Sequence, residues 1–280
     1  MENAAHPALK PLTPKEGLFV LHLFYHVDHA AWEAVSDEGH KAARHRLEAL
    51  IAEAKGWPQV QIQTFGMIAR ADLGFMIVGP DLQILHALEK KITHALGYGV
   101  LVPVFTFFSL TEHSEYTTTD AEYAEDLKKE GLDPASPQFE GKMAAFSERM
   151  GKYTQDRLYP KVPDWEFFAF YPMNKRREGG DNWFLLDLAK RKELMKSHAT
   201  VGRKYSGRIL QIITGATGLD DWEWGVSLFA HDPFEVKAIV YEMRFDEVSA
   251  RYGEFGDFYT GVTLPLAQAL ERVGLWTVSS

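Results

Sequence analysis

The sequence predicts an α+β fold made of two successive β-α-β-β-α-β units, and three observations carry that expectation. Apolar runs of strand length alternate with helix-period stretches in the same order twice along the chain. The stretch between them is more polar, with Asp120, Glu122, Glu125 and Asp126 ahead of a break at Gly131 and Pro134. The 280 residues, 46% hydrophobic and 25% charged, are enough to bury a large core. Duplicated units of this kind give a barrel in which one sheet face lines a cavity and another packs helices.

In chain order, residues 1–15 carry Pro7, Pro11 and Pro14 and read as an extended polar arm. The first half spans 16–115. It opens with a nearly continuous apolar strand at 18–25, then a long helical pattern over 31–55. Strands at 59–69 and 74–78 flank an Ala-Asp-Leu turn. A second helix begins at Asp81, its N-cap, and ends near Gly97. A strand over 100–110 closes the half. Residues 116–160 form a helical connector broken near 131–137. The second half, 161–280, repeats the order: a strand at 165–171, a helix at 187–205, strands at 207–214 and 222–229, a helix at 232–243 and a strand at 255–261.

Composition removes several classes of function. A formal net charge of −9 argues against a nucleic-acid partner. With no cysteine there is no disulfide, thiolate zinc site, iron–sulfur cluster or covalent haem attachment. The first residues lack the basic and apolar regions of a signal peptide, and no apolar run reaches the ~18–20 residues of a membrane span. A cytoplasmic location is the resulting expectation.

The chemistry concentrates after residue 155. On a helix over 187–205, His198 shares a face with Leu194, Met195 and Val201. That placement admits both a hydrogen-bonded core histidine and an iron ligand. Tyr171 precedes Pro172, which favours an extended backbone and projects the ring from a strand end, with Lys175 in the loop beyond. Strand alternation puts Ile209, Gln211 and Ile213 on one face and Arg208 on the other. Gln211 is then either a core amide or a group facing a ligand. Arg244 is free to pair with Asp246 or Glu247, and Glu223 reads as part of a turn beside Trp222 and Trp224.

The strings YPMNKRR, NWF, LMKSHATVGRKY, GLDDWEWGVSLF and VYEMRFDEVSARYGEFG occur in that order. At these residues the chain resembles the coproheme decarboxylases of the chlorite dismutase superfamily. The likeness is close over 155–261, and earlier residues agree only in layout. It implies a duplicated dimeric α+β barrel of two ferredoxin-like halves, assembled as a homopentamer. It also implies oxidative decarboxylation of iron-coproporphyrin III (coproheme) to haem b, using two molecules of hydrogen peroxide. His198 corresponds to the proximal iron ligand, Tyr171 to the tyrosine that becomes a radical, and Lys175 to its proton or propionate partner. Arg157, Arg244 and Ser249 correspond to propionate contacts. Met173, Trp183, Leu194, Met195 and the isoleucines would supply apolar walls. Gln211 stands where chlorite-degrading members carry arginine, which speaks against chlorite chemistry. A chlorite dismutase-like or peroxidase haem enzyme and a non-catalytic haem carrier are the alternatives. A transient contact with a coproporphyrin ferrochelatase, the supplier of coproheme, is a further expectation.

Overall fold

Strand β1 (Phe19–Val27) pairs with both β3 (Leu73–Gly79) and β4 (Leu101–Thr111), and β2 (Gln61–Ile68) joins the other edge of β3. This computed structural model describes residues 9–276; most of the expected arm lies outside them. Near the arm's end, the Leu12 amide donates to Asp81 at 3.0 Å. The C-terminal strands are β5 (Phe167–Lys175), β6 (Ile209–Gly215), β7 (Trp224–Ala230), β8 (Gly253–Phe255) and β9 (Tyr259–Thr263). The order is β7-β6-β4-β1-β3-β2-β9-β5-β8, and β7 also pairs with β5. Eight strands therefore close on themselves, leaving no free edge between the halves.

Alternation along each strand sorts the side chains. Even-numbered residues of β1 and β5, including Val20, Phe24, Phe168 and Phe170, fill the barrel with Phe65, Phe107 and Phe229. His22 is also inside, stacked on Phe170 at 4.2 Å with Nε2 2.8 Å from the Ser227 hydroxyl. Burial drives its ring pKa down to about 3, so it stays neutral. The odd-numbered residues face outward under helices.

On the N-terminal side those helices are α2 (Asp37–Lys55) and α3 (Leu82–Ala95). Ala43, Leu47, Ile51 and Ala54 of α2 and Leu85, Leu88 and Ile92 of α3 cover the sheet completely. The helix expected over 31–55 is in fact two, α1 (His29–Glu33) and α2. Asp28 and Ser36 each accept an amide hydrogen bond, from Ala31 and Gly39, so the segment carries two N-caps. Asp81 caps α3 as expected. The connector is α4 (Asp120–Lys129), with a Thr119/Glu122 capping box, and α5 (Pro137–Leu158).

On the C-terminal side the covering helices are α6 (Leu188–Arg203) and α7 (Pro233–Met243), whereas α8 (Leu266–Arg272) returns to the N-terminal side, where Ala269 and Leu270 join the core under α2 and α3. Only Leu194 of α6 is fully buried, whereas α2 buries five residues. Helix α6 therefore bridges over the sheet without filling the space beneath it. Two further departures from the sequence reading bear on the site. Strand β5 continues through Lys175, so the loop expected there begins later. A short π-helical turn, Val248–Tyr252, precedes β8 in place of a single strand over 255–261.

Candidate functional site

The space beneath α6 and α7 is a cavity of about 330 Å³. Its floor is the outer face of the sheet: Tyr171, Met173 and Lys175 from β5, Gln211 and Ile213 from β6, Trp224 and Val226 from β7. Met195 and His198 of α6 face it from one side, and Val240, Met243 and Arg244 from another. Residues 112–116 and Arg157 form the far wall, with Ser249 and Phe255 at the end near β8. All eight residues singled out in the sequence, Arg157, Tyr171, Met173, Lys175, His198, Gln211, Arg244 and Ser249, line this one space.

The expected apolar face of α6 divides in two. Leu194 joins Trp183, Val248 and Tyr252 in a separate buried cluster, and Val201 packs against the outer sheet layer. Of the apolar wall residues expected, Met173, Met195 and Ile213 border the cavity; Trp183, Leu194, Ile209 and Ile212 do not. His198 stands between the two apolar groups, and its Nδ1 lies 2.9 Å from Oδ2 of Asp246. A carboxylate can only accept, so Nδ1 carries the proton, and a neutral ring keeps its Nε2 lone pair free.

Asp246 is itself firmly held. It accepts from the amides of Val248 and Ser249 at 3.0 and 3.2 Å and from the Ser249 hydroxyl at 3.1 Å. Burial pushes its carboxyl up, but His198 and the Ser249 donors outweigh that and keep it below the ordinary aspartate value. Ser249, expected at a propionate, thus spends its hydroxyl proton on Asp246. Arg244 pairs with neither Asp246 nor Glu247; Glu247 binds Arg251, and the Arg244 guanidinium lies 3.8 Å from the Phe255 ring centroid.

Tyr171 is only 6% exposed and stacks on Phe258 at 4.5 Å. Burial raises its phenol to about 12, against the pull of Arg244, so it stays protonated. Lys175 is 8% exposed, with its ammonium 4.8 Å from the Trp183 ring centroid. Burial lowers its pKa to about 8 in spite of Asp246 and Glu223 nearby. An ordinary surface lysine in a basic loop is thereby ruled out. Glu223, expected in a turn, is a buried carboxylate that accepts from the Lys175 amide at 3.0 Å.

Gln211 projects into the cavity beside Ile213, while Ile212 points into the barrel. Arg208 turns away from the cavity to Glu235 at 2.6 Å. Asp246, Glu223 and Glu112 were the residues sequence reasoning missed. Asp246 lies 48 positions from His198, and only folding pairs them.

The donor set suits a flat, acidic ligand with a metal at its centre. One imidazole with a free nitrogen faces a slot walled by methionine, valine and isoleucine. Arg157, Lys175 and Arg244 stand around it, none in a direct ion pair with a described carboxylate. Fold and cavity together define an α+β-barrel protein with a porphyrin-type site. The chain belongs to the chlorite dismutase family, whose model matches residues 40–264. It is 39% identical over 256 residues to the curated coproheme decarboxylases of two Thermus thermophilus strains, covering 90% of this chain and 92% of theirs. A solved haem-binding protein from Thermus thermophilus superposes with a TM-score of 0.76 at 38% identity, covering 96% of this chain and all of that one. A chlorite dismutase variant from Candidatus Nitrospira defluvii gives 0.69 at 17% identity, covering 93% of this chain and 96% of that one, which establishes likeness of fold alone.

Proposed function

We propose that the protein is a coproheme decarboxylase, which converts iron-coproporphyrin III to haem b by removing CO₂ from two propionates. The observation that carries this reading is the single cavity uniting an Asp246-oriented His198, a protonated Tyr171 and a buried Lys175 among unpaired arginines. When bound, coproheme is both substrate and source of the redox iron, with hydrogen peroxide as oxidant. Each propionate-to-vinyl conversion releases CO₂, a proton and two electrons; one peroxide takes up those electrons with that proton and a second from solvent to become two waters.

His198 would hold the iron through Nε2, with Asp246, 2.9 Å from Nδ1, fixing the ring's tautomer and plane. Tyr171, whose hydroxyl has no hydrogen-bond partner among the described residues, is free to give up its hydrogen atom and recover one from the propionate β-carbon. Lys175 lies four residues further along the same strand face, about 13 Å away at the strand rise. With a pKa near 8 it exchanges a proton readily at neutral pH. Arg157 and Arg244 would orient the remaining propionates and Met173 would border the macrocycle, while Ser249 acts through Asp246, to which it donates its hydroxyl proton. Gln211 offers a neutral amide where a cation would favour anionic oxidants.

In this reading the halves 16–115 and 161–280 are ferredoxin-like repeats joined by the 116–160 connector, and the barrels assemble as a cytoplasmic homopentamer. Phe234 and Tyr241, exposed on α7, and Phe245 just beyond its end offer apolar surface for subunit contacts. Coproheme would arrive through transient contact with a coproporphyrin ferrochelatase. No described helix is long and apolar enough to cross a membrane.

Mass spectrometry of purified protein loaded with coproheme and titrated with peroxide tests the activity. The porphyrin mass should fall in two steps. Tyr171→Phe should bind coproheme within about threefold of wild type yet stall with four propionates, since ring packing survives and only the oxidisable hydroxyl is lost. Haem b formation by that variant at the wild-type rate would remove Tyr171 from the chemistry.

A further inference from the structure

Glu112 follows directly after β4 and, with Glu115, brings a carboxylate to the wall of a cavity that Arg157, Lys175 and Arg244 surround. It is built into place from three sides. Its Oε1 accepts from the Trp224 indole at 3.2 Å, and its backbone carbonyl accepts from Arg157 Nε at 3.3 Å. Its carboxylate rests on the last residue of β6, Gly215, where a Cβ would stand 2.2 Å from Oε2. Gly215 has an ordinary backbone conformation, so what the glycine supplies is room for the Glu112 carboxyl in this position and not a special torsion. Arg157 binds the carbonyl and leaves the carboxylate without a direct cation partner. An anionic group drawn to Arg157 is thereby brought up to the Glu112 carboxyl.

We propose that Glu112 is a specificity-determining residue of the porphyrin site: its neutral carboxyl donates a hydrogen bond to a ligand carboxylate beside Arg157, and its ionised form repels that carboxylate. The inference rests on the porphyrin reading above and adds a proton to the binding reaction. Two facing carboxylates in a shared site cannot both stay ionised without large cost, so ligand entry takes up one proton. The groups around Glu112 set the balance. Burial raises its carboxyl, the Trp224 indole and Arg157 of α5 pull it down, and Glu115 of the same loop raises it again. His113 pairs with Glu16 at 3.5 Å, and Gly215 of β6 brings no charge.

The test is coproheme affinity against pH, followed by quenching of tryptophan fluorescence, for wild type and Glu112→Gln. The amide keeps an acceptor for Trp224 and a donor for the ligand but cannot ionise, and unaltered thermal unfolding would confirm an intact fold. Ligand propionates and Lys175 titrate in both proteins, so they cancel in the comparison. The wild-type profile should contain an extra limb in which affinity falls about tenfold per pH unit, the slope for one linked proton. Calorimetry in buffers of different ionisation enthalpy should find one more proton taken up by wild type than by Glu112→Gln on that limb. Identical profiles and proton uptake would overturn the inference and leave the porphyrin reading standing. So would an affinity gain in Glu112→Gln that is equal at every pH, the mark of a permanently ionised Glu112. Failure of wild type to bind coproheme at any pH would overturn both.

Discussion

Lys175 shows best what burial does to a single residue in this fold. An ammonium held at about 8, against 10.5 in the unfolded chain, is a charge taken out of water without full compensation. Between those two values the unfolded state binds more protons than the folded one. The contribution of Lys175 therefore destabilises fully below about pH 8, and the penalty fades as pH rises towards 10.5. Lys175→Met, similar in length and uncharged, should unfold at a higher temperature than wild type at pH 7. That advantage should shrink steadily above pH 8, while decarboxylation is lost. Equal melting temperatures at pH 7 would show that the ammonium is better compensated than its burial implies. Stability given up at a reactive residue is the usual cost of an active site.

At the scale of elements, α6 and α2 are both amphipathic helices over a sheet, but they bury very different amounts. Helix α2 is fixed by a continuous apolar row, whereas α6 is held by Leu194, by its Asp187 N-cap and by side-chain links such as His198 to Asp246. Backbone amides of α6 should accordingly exchange with solvent faster than those of α2 in the ligand-free protein. Coproheme, held through His198, should slow exchange in α6 by at least about tenfold and leave α2 unchanged. Hydrogen exchange read by mass spectrometry checks this directly. Equal protection of both helices before loading would mean that α6 is braced by contacts other than these.

For the whole molecule, the decisive feature is closure. Strands β4 and β6 pair only through Leu110–Gly215 and Thr111–Thr214, while β2 and β9 pair through four residues from Phe65 to Ile68. Both junctions cover aromatic side chains drawn from the two halves, with Phe65 on Phe168 at 3.8 Å. Neither half can leave without opening the other's edge strands and exposing that shared core. Heating should therefore give one transition for both halves of the barrel together, with calorimetric and van't Hoff enthalpies in agreement. Two resolved transitions would show that each half keeps a core of its own after the barrel opens.

The sequence by itself determined most of the element order, the Asp81 cap, the broken connector and the faces of β6. These follow from local periodicity and capping chemistry, which neighbouring residues settle among themselves. It also held the strings around His198 and Tyr171 that carry the family resemblance. The split between α1 and α2 was written in Asp28 and Ser36 but was hidden by an unbroken helical period. Tertiary structure alone decided that Lys175 stays on the strand, because β8 pairs with it through Gly253 and extends the sheet. It alone decided that Asp246 belongs to His198 and not to Arg244, and that Glu112 sits on Gly215. Those pairings join residues 48 and about 100 positions apart. Contacts over such separations depend on where the closed sheet delivers each backbone, which no local pattern encodes.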